Sequence, residues 1–154
     1  MSDPSLWKTG TKCGLSQRGC YTLVISLGKR KKIRVGKLGR ACFPEGTYLY
    51  TGSAMNGLRA RLLRHLRRKN KKSYWHIDYL LKSPEAKIDK ILIYRGPTQQ
   101  ECRLNQRITR LPRASVIVKG FGASDCRSSC NTHLVYLGKK FSATHGRRSI
   151  NARV

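Results

Sequence analysis

The sequence predicts a small α/β or α+β domain in which helices flank a mixed, mainly antiparallel sheet. Segments in which apolar and polar residues alternate, as in strands, occur on both sides of segments with helical periodicity. The chain of 154 residues also fits one domain that can bury a core without disulfide bonds. We expect an N-terminal lead-in at 1–17, the folded domain at 18–138 and a basic C-terminal tail at 139–154.

The predicted strands share a period of two and end at turn signals. Residues 19–27 place Tyr21 and Leu23 on one face and Thr22 and Val24 on the other, which is typical of a strand. Turn residues separate this strand from the next two, so the first three strands suggest an antiparallel meander. In chain order the strand candidates are 19–27, 33–35, 47–50, 88–94, 115–119 and 134–137.

Three helices are predicted from leucine spacing and boundary signals. Residues 58–69 carry a leucine at every fourth position over the first turns, which forms an apolar stripe. A second helix is expected at 74–81, where a Ser-Pro pair ends it. A third is expected at 99–111, with Thr98 as its N-cap and a proline just beyond its end.

The charge of the chain indicates its partner. Lysine and arginine total 33 against 7 aspartate and glutamate residues, a net charge of +26. Such an excess repels itself, and a polyanion offsets it, so we expect nucleic acid as the partner, with DNA favoured over RNA. An anionic membrane surface is the weaker alternative. No segment approaches the ~18 apolar residues of a membrane span, and the first residues lack a signal-peptide pattern, so we expect a cytoplasmic protein.

The first helix predicts a graded surface. On a helical wheel His65 and Arg61 lie one turn apart on the flank of the leucine stripe, and Arg64 and Arg68 continue outward. This arginine row is either a solvated basic face or a wall that grips phosphate. Glu101 lies at the edge of the apolar face of the third helix, where a carboxylate needs either an arginine partner or a bound Mg²⁺.

The cysteines leave three interpretations open. Cys126 and Cys130, followed by His133, offer three zinc ligands on one segment. Structural zinc usually takes four ligands from two such segments, and a second is not visible. We therefore favour buried free thiols over a structural zinc ion, and a zinc ion slightly over a disulfide.

Several of these residues fall into an order that resembles the GIY-YIG nuclease superfamily. They are Gly19-Cys20-Tyr21, Tyr50-Thr51-Gly52, Arg61 with His65 four residues later, and Glu101 on a later helix. Within this superfamily the chain most resembles the small stand-alone Uri-type branch. Four further stretches carry that resemblance, and the similarity as a whole spans about residues 19–138. These stretches are 34–39, 50–54, 75–79 and 120–126.

The resemblance implies a GIY-YIG-like fold and metal-dependent cleavage of phosphodiester bonds. It implies that Tyr21 and Tyr50 project from neighbouring strands toward the phosphate, where a tyrosine orients or deprotonates the attacking water. Arg61 then stabilises the transition state, and His65 acts as a proton shuttle or a phosphate ligand. Glu101 holds one divalent ion, Mg²⁺ or Mn²⁺.

The chain departs from the family pattern in two ways. Cys20 and Thr51 stand where the family has isoleucine, at packing positions. The asparagine that many members carry after the glutamate helix has no counterpart, which leaves Ser124, Asp125 or His133 as candidates for its place. Tyr48 shares a strand face with Tyr50, so the second tyrosine's role is open between them.

Nucleic acid is expected to contact basic and polar side chains near the predicted site. For His76 we favour local packing over contact with the substrate. The pattern contains no recognition helix or zinc finger, so binding is expected to follow backbone shape more than base sequence. The predicted binding residues are Lys37, Ser53, Arg59, Arg64, Arg67, Arg68 and His76.

Three functions follow from these observations, in decreasing order of support. The first is a metal-dependent endonuclease that is structure-selective or largely non-specific for sequence. The second is a non-catalytic DNA- or RNA-binding module on the same scaffold. The third is a basic protein that associates with ribosomes or an anionic membrane surface.

Overall fold

The computed structural model describes residues 18–97 and 99–139. Within these ranges it confirms the predicted fold class, with a four-stranded antiparallel sheet, a two-stranded sheet and three α-helices. In chain order the elements are β1 (Gly19–Leu27), β2 (Lys31–Arg34), β3 (Arg40–Phe43), β4 (Gly46–Ala54), α1 (Leu58–Leu66), α2 (His76–Leu81), β5 (Ala86–Arg95), α3 (Gln100–Thr109) and β6 (Leu134–Gly138).

The main sheet has the order β5-β1-β4-β6, and β2 and β3 form a separate hairpin. The predicted meander is therefore wrong, because β1 pairs with β4 along its whole length and not with β2. The physical reason is burial. β1 and β4 are buried almost throughout, whereas the basic β2 alternates half-buried and exposed residues and suits a two-stranded edge hairpin.

Both faces of β1 contribute to the core. Tyr21 and Leu23 pack with Leu58 of α1 and Ile77 of α2 on one side of the sheet. On the other side Val24 belongs to a smaller cluster, against which α3 packs through its half-buried Ile108. The sheet is thus covered by helices on both faces, and its central strands carry side chains toward both layers.

Several element boundaries differ from those predicted. Helix α1 ends at Leu66, and Arg67 is extended with ψ 125°. The Lys71 ammonium donates to the carbonyls of Arg64 and His65, at 2.8 and 3.0 Å, so it satisfies the last turn of the helix. Helix α2 begins at 76 and not at 74.

The predicted strand at 115–119 is wrong, since only Ser115 makes a single bridge to Tyr136. The predicted N-cap Thr98, the lead-in at 1–17 and the tail from 140 onward lie outside the described residues. In the described parts of the chain, no helix combines the length and the apolarity that a membrane crossing requires.

Candidate active site

One cleft of about 520 Å³ brings together five of the residues predicted for catalysis or for nucleic-acid binding. Such a volume is within the range of ordinary ligand sites. The phenols of Tyr21 and Tyr50 come from the two central strands, and Ser53 from the end of β4. Arg61 reaches the cleft from α1, and Glu101 from the first turn of α3.

Tyr21 enters the cleft across a glycine of the neighbouring strand. In the β1–β4 register Tyr21 lies opposite Gly52. A Cβ atom at Gly52 would lie 2.5 Å from the Tyr21 hydroxyl oxygen, far closer than real Cβ contacts. The glycine two residues after Tyr50 therefore has a physical role, because any larger residue would displace the Tyr21 phenol.

Behind Tyr21 lies a neutral histidine. The Tyr21 hydroxyl is 2.7 Å from Nε2 of His65, whose side chain is 2% exposed. Burial, reinforced by the charge of Lys71, lowers the pKa of His65 to about 3. His65 was expected beside the leucine stripe, and the structure buries it with Leu58 and Leu62, which leaves it no direct contact with a phosphate in the cleft. The side chain instead makes a hydrogen bond with Tyr21.

The two tyrosines are protonated at neutral pH. Burial raises the pKa of Tyr21 and of Tyr50, and this outweighs the opposing charge of Arg61. The choice between Tyr48 and Tyr50 is also decided by geometry. Tyr48 is fully buried and its hydroxyl donates to the carbonyl of Pro44, whereas Tyr50 lines the cleft.

Arg61 is positioned by an indole ring. Its guanidinium carbon lies 4.1 Å from the centroid of Trp75, and that of Arg64 lies 4.2 Å from the same ring. Arg64 also donates to the buried carboxylate of Asp78 at 2.9 Å. The second guanidinium of the arginine row is therefore engaged inside the protein, while Arg61 faces the cleft.

Asp78 holds Arg64 and the backbone of Trp75 in place. Its side chain is fully buried, and Oδ2 accepts hydrogen bonds from the backbone N–H groups of Tyr74 and Trp75, at 2.9 Å each. Burial acts to raise the pKa of Asp78, but these hydrogen bonds and Arg64 hold it below its ordinary value. A charged carboxylate thus joins α1 to the start of α2 and orients the indole.

Glu101 pairs with a histidine. Its Oε1 lies 2.8 Å from Nδ1 of His133, so among the described residues a histidine takes the place of the arginine that was one of the two alternatives. The Glu101 side chain is 21% exposed, in contrast to 3% for His133. Burial acts to lower the pKa of His133, but its hydrogen bond to Glu101 raises it above the ordinary value. Asp125 and His133 both line the cleft and are the candidates for the place of the missing asparagine that the structure brings there.

A cluster of four side chains that could hold a metal adjoins Glu101. Cys102, Cys126, Cys130 and His133 each place one ligand atom within 4.8 Å of the others. The disulfide alternative is not adopted, since Cys126 and Cys130 are both free thiols. Sequence analysis missed Cys102, because an isolated cysteine on a helix 24 residues before Cys126 shows no chelating spacing.

The other predicted binding residues lie outside the lining of the cleft. Arg68 donates to the carbonyls of Leu81 and Ala86, at 3.2 and 2.8 Å. His76 accepts a hydrogen bond from the Gly122 N–H at 2.9 Å, in line with the local packing that was favoured for it. Lys37, Arg59 and Arg67 are exposed, and their contact with nucleic acid stays a prediction.

Comparison with known proteins places the chain in a family whose function is not defined. No curated protein and no solved structure matches the chain significantly. The family model described as "Domain of unknown function DUF123" matches residues 20–152, which include the whole cleft. Because the match covers most of the 154 residues, this protein belongs to the DUF123 family.

Proposed function

We propose that this protein is a divalent-metal-dependent endonuclease that hydrolyses phosphodiester bonds in nucleic acid, with DNA favoured as substrate. The observation that carries the proposal is the meeting of two phenols, the guanidinium of α1 and the part-exposed carboxylate of α3 in a single cleft. These are Tyr21, Tyr50, Arg61 and Glu101, whose order along the chain resembles that of GIY-YIG nucleases.

Glu101 has the chemistry of a ligand for Mg²⁺ or Mn²⁺. Its carboxylate faces the cleft in a strongly basic protein, and only Oε1 is engaged by His133. Hard divalent ions prefer one or two carboxylates together with water, so the donor set fits. When bound, such an ion stabilises charge on the phosphate oxygens or the leaving oxygen.

Tyr21 and His65 form a proton path. In the proposed step a water oxygen attacks phosphorus and the bond from phosphorus to the leaving sugar oxygen breaks. The water proton passes to the Tyr21 oxygen as the phenol proton moves to Nε2 of His65, which lies 2.7 Å away. The leaving oxygen takes a proton from solvent, and His65 then returns its extra proton to solvent through Tyr21. Burial keeps the imidazole neutral, so Nε2 has a lone pair for the phenol proton, and the same low pKa makes the imidazolium release that proton again.

Arg61 faces the charge that develops on the phosphate. Its stacking on Trp75 limits the side chain's freedom, so less ordering is required when the transition state forms. The Tyr50 phenol lines the same cleft and orients the substrate. The net charge of +26 supports binding to the phosphate backbone, with strong salt dependence.

Incubation with labelled single-stranded, duplex and branched DNA and with RNA tests the proposal, with Mg²⁺, Mn²⁺ or EDTA present. We expect cleavage that EDTA abolishes and that Glu101→Ala lowers by about 10³-fold while binding is retained. Glu45→Ala is the matched control, since Glu45 is exposed and pairs with Lys139 at 3.3 Å. Salt-sensitive binding without metal-dependent products would instead identify a non-catalytic module.

A further inference from the structure

We infer that Cys102, Cys126, Cys130 and His133 form a structural zinc site that holds one wall of the cleft in place. This site differs from the divalent-ion site proposed at Glu101, which has an oxygen ligand. It does not rest on the proposed nuclease function, because zinc content is measured without any substrate.

The geometry of the four donors fits one tetrahedral ion. The four ligand atoms all lie within 4.8 Å of one another, and the Cys102 and Cys126 sulfurs are 3.5 Å apart. Zinc–sulfur bonds of ~2.3 Å in a tetrahedron place sulfurs about 3.8 Å from each other. A disulfide requires about 2.05 Å, so the observed spacing excludes a bonded pair and suits two ligands of one ion.

The donor types select zinc. Three thiolates and one imidazole form a soft, closed set with four protein ligands, which is typical of structural zinc. Nδ1 of His133 is hydrogen-bonded to Glu101, whereas Nε2 is buried without a nitrogen or oxygen partner among the described residues, and the His133 ring interacts with the Cys126 thiol. A buried imidazole nitrogen whose neighbours are three cysteines points to a metal that it shares with them.

The position of the site explains what the ion would do. Residues 110–133, all of which are described, contain no helix or strand. Within this segment Cys126 and His133 line the cleft, together with Asp125 and Arg127. A zinc ion would tie the segment at three points to Cys102 on α3 and so replace the missing secondary structure as its support.

The site also reaches Glu101. Histidines that bind zinc usually donate their other ring N–H to a carboxylate, which fixes the orientation of both groups. His133 donates from Nδ1 to Glu101 in this way, at 2.8 Å. The zinc site therefore positions the carboxylate that the cleft presents, through one histidine.

The first test measures the metal bound by the full chain after expression in zinc-supplemented medium and purification with a reductant. Mass spectrometry of the metal content should find about one zinc per chain, and Cys102→Ser should lower it at least tenfold. Cys42→Ser is the matched control, because Cys42 is a free thiol of the β2–β3 hairpin outside the cluster. It should keep its zinc.

The second test covers the case in which Cys102→Ser fails to fold by circular dichroism. Cys102→His retains a ligand, so cobalt(II) should still bind, and the sulfur-to-cobalt charge-transfer absorbance should fall by about one third because two of three thiolates remain. An unchanged spectrum overturns the assignment. So do equal zinc in the wild type and Cys102→Ser, iron or copper in place of zinc, or a mass about two units lower from a disulfide.

Discussion

Two carboxylates, Asp78 bonded to the backbone of Trp75 and Glu101 in the lining of the cleft, have contrasting surroundings. Asp78 is fully buried, receives hydrogen bonds from two backbone N–H groups and Arg64, and has the Lys71 ammonium at 3.7 Å. Glu101 is 21% exposed and its one ion-pair partner in the described parts of the chain is His133. Among the described residues, the three hydrogen bonds of Asp78 all end on Oδ2, Oδ1 has only the Lys71 ammonium near it, and the whole carboxylate is closed off from the cleft. The Glu101 carboxylate lines the cleft and leaves room there for a cation.

The contrast separates a structural acid from a candidate functional acid. A buried carboxylate whose charge is balanced by neighbouring cations acts in folding and is closed to a ligand. A carboxylate at the edge of a cleft with one engaged oxygen can accept another positive partner. Four changes would break or sharpen this comparison, in decreasing order of expected effect.

The largest effect is expected from Asp78→Asn. Removing this charge leaves Lys71 and the Arg64 guanidinium without their buried partner, which should lower the free energy of unfolding by about 3–5 kcal/mol. The isosteric Glu101→Gln should lower it by about 1–2 kcal/mol, since only the His133 hydrogen bond is weakened. Urea denaturation of both variants measures the two losses in free energy of unfolding. Equal losses would contradict the distinction between a structural Asp78 and a functional Glu101.

The second effect is a pH dependence from His65. Its pKa falls from 6.5 to about 3 on folding, so below pH 6.5 the unfolded chain binds a proton that the native state does not. Stability is then complete above pH 6.5 and is lost as the pH falls, by about 1.4 kcal/mol per unit until about pH 3.

Chemical denaturation of wild type and His65→Gln between pH 7 and pH 4 isolates this contribution. The variant should lack that share of the slope, while the acid-side loss from Asp78, which begins below its unfolded pKa, remains in both. Identical slopes in the two proteins would show that His65 is protonated in the native state.

The third effect is expected from Gly52→Ala. The added methyl would lie 2.5 Å from the Tyr21 oxygen and force the phenol away from His65. Cleavage should fall by about 10²-fold, with about 1–3 kcal/mol lost in stability from overpacking. Gly28→Ala is the control, since its nearest contact is 3.4 Å, an ordinary distance, and its cleavage rate should match the wild type.

The smallest effect is expected from Trp75→Leu, because Trp75 connects the surroundings of Asp78 to the cleft that contains Glu101. The Trp75 indole contacts Arg61, and the backbone N–H of the same residue donates to Asp78. Loss of the cation–π contact, worth about 0.5–2 kcal/mol, should lower kcat by about 2–30-fold. The Asp78 hydrogen bond is to backbone and survives, so thermal unfolding should show a smaller loss than in Asp78→Asn.

Much of the fold could be predicted because it depends on local patterns. The alternation at 19–27 predicted β1 to the residue, and leucine spacing located α1 although not its end. The end depended on Lys71, which folds back onto the last carbonyls of the helix. The pairing of β1 with β4 depended on which strands can be buried together, which a single segment does not reveal.

For the candidate site, the sequence predicted which residues take part but not how they are arranged. The order of tyrosines, arginine and glutamate named residues that line the cleft, but not their partners. The helical wheel placed His65 on the flank of the leucine stripe, but it could not show that the sheet buries this side chain beside Tyr21. Arg68 was expected to grip phosphate, and two backbone carbonyls take its Nη1.

By itself, the sequence determined the charge of the protein, the strand and helix types, and the chemical groups available to a site, since these follow from composition and short periodicity. Only the tertiary structure decided which groups meet. It brought Cys102 to Cys126 and Glu101 to His133, although 24 and 32 residues separate the members of these pairs. Contacts across such distances depend on how the layers pack, and no local pattern contains that information.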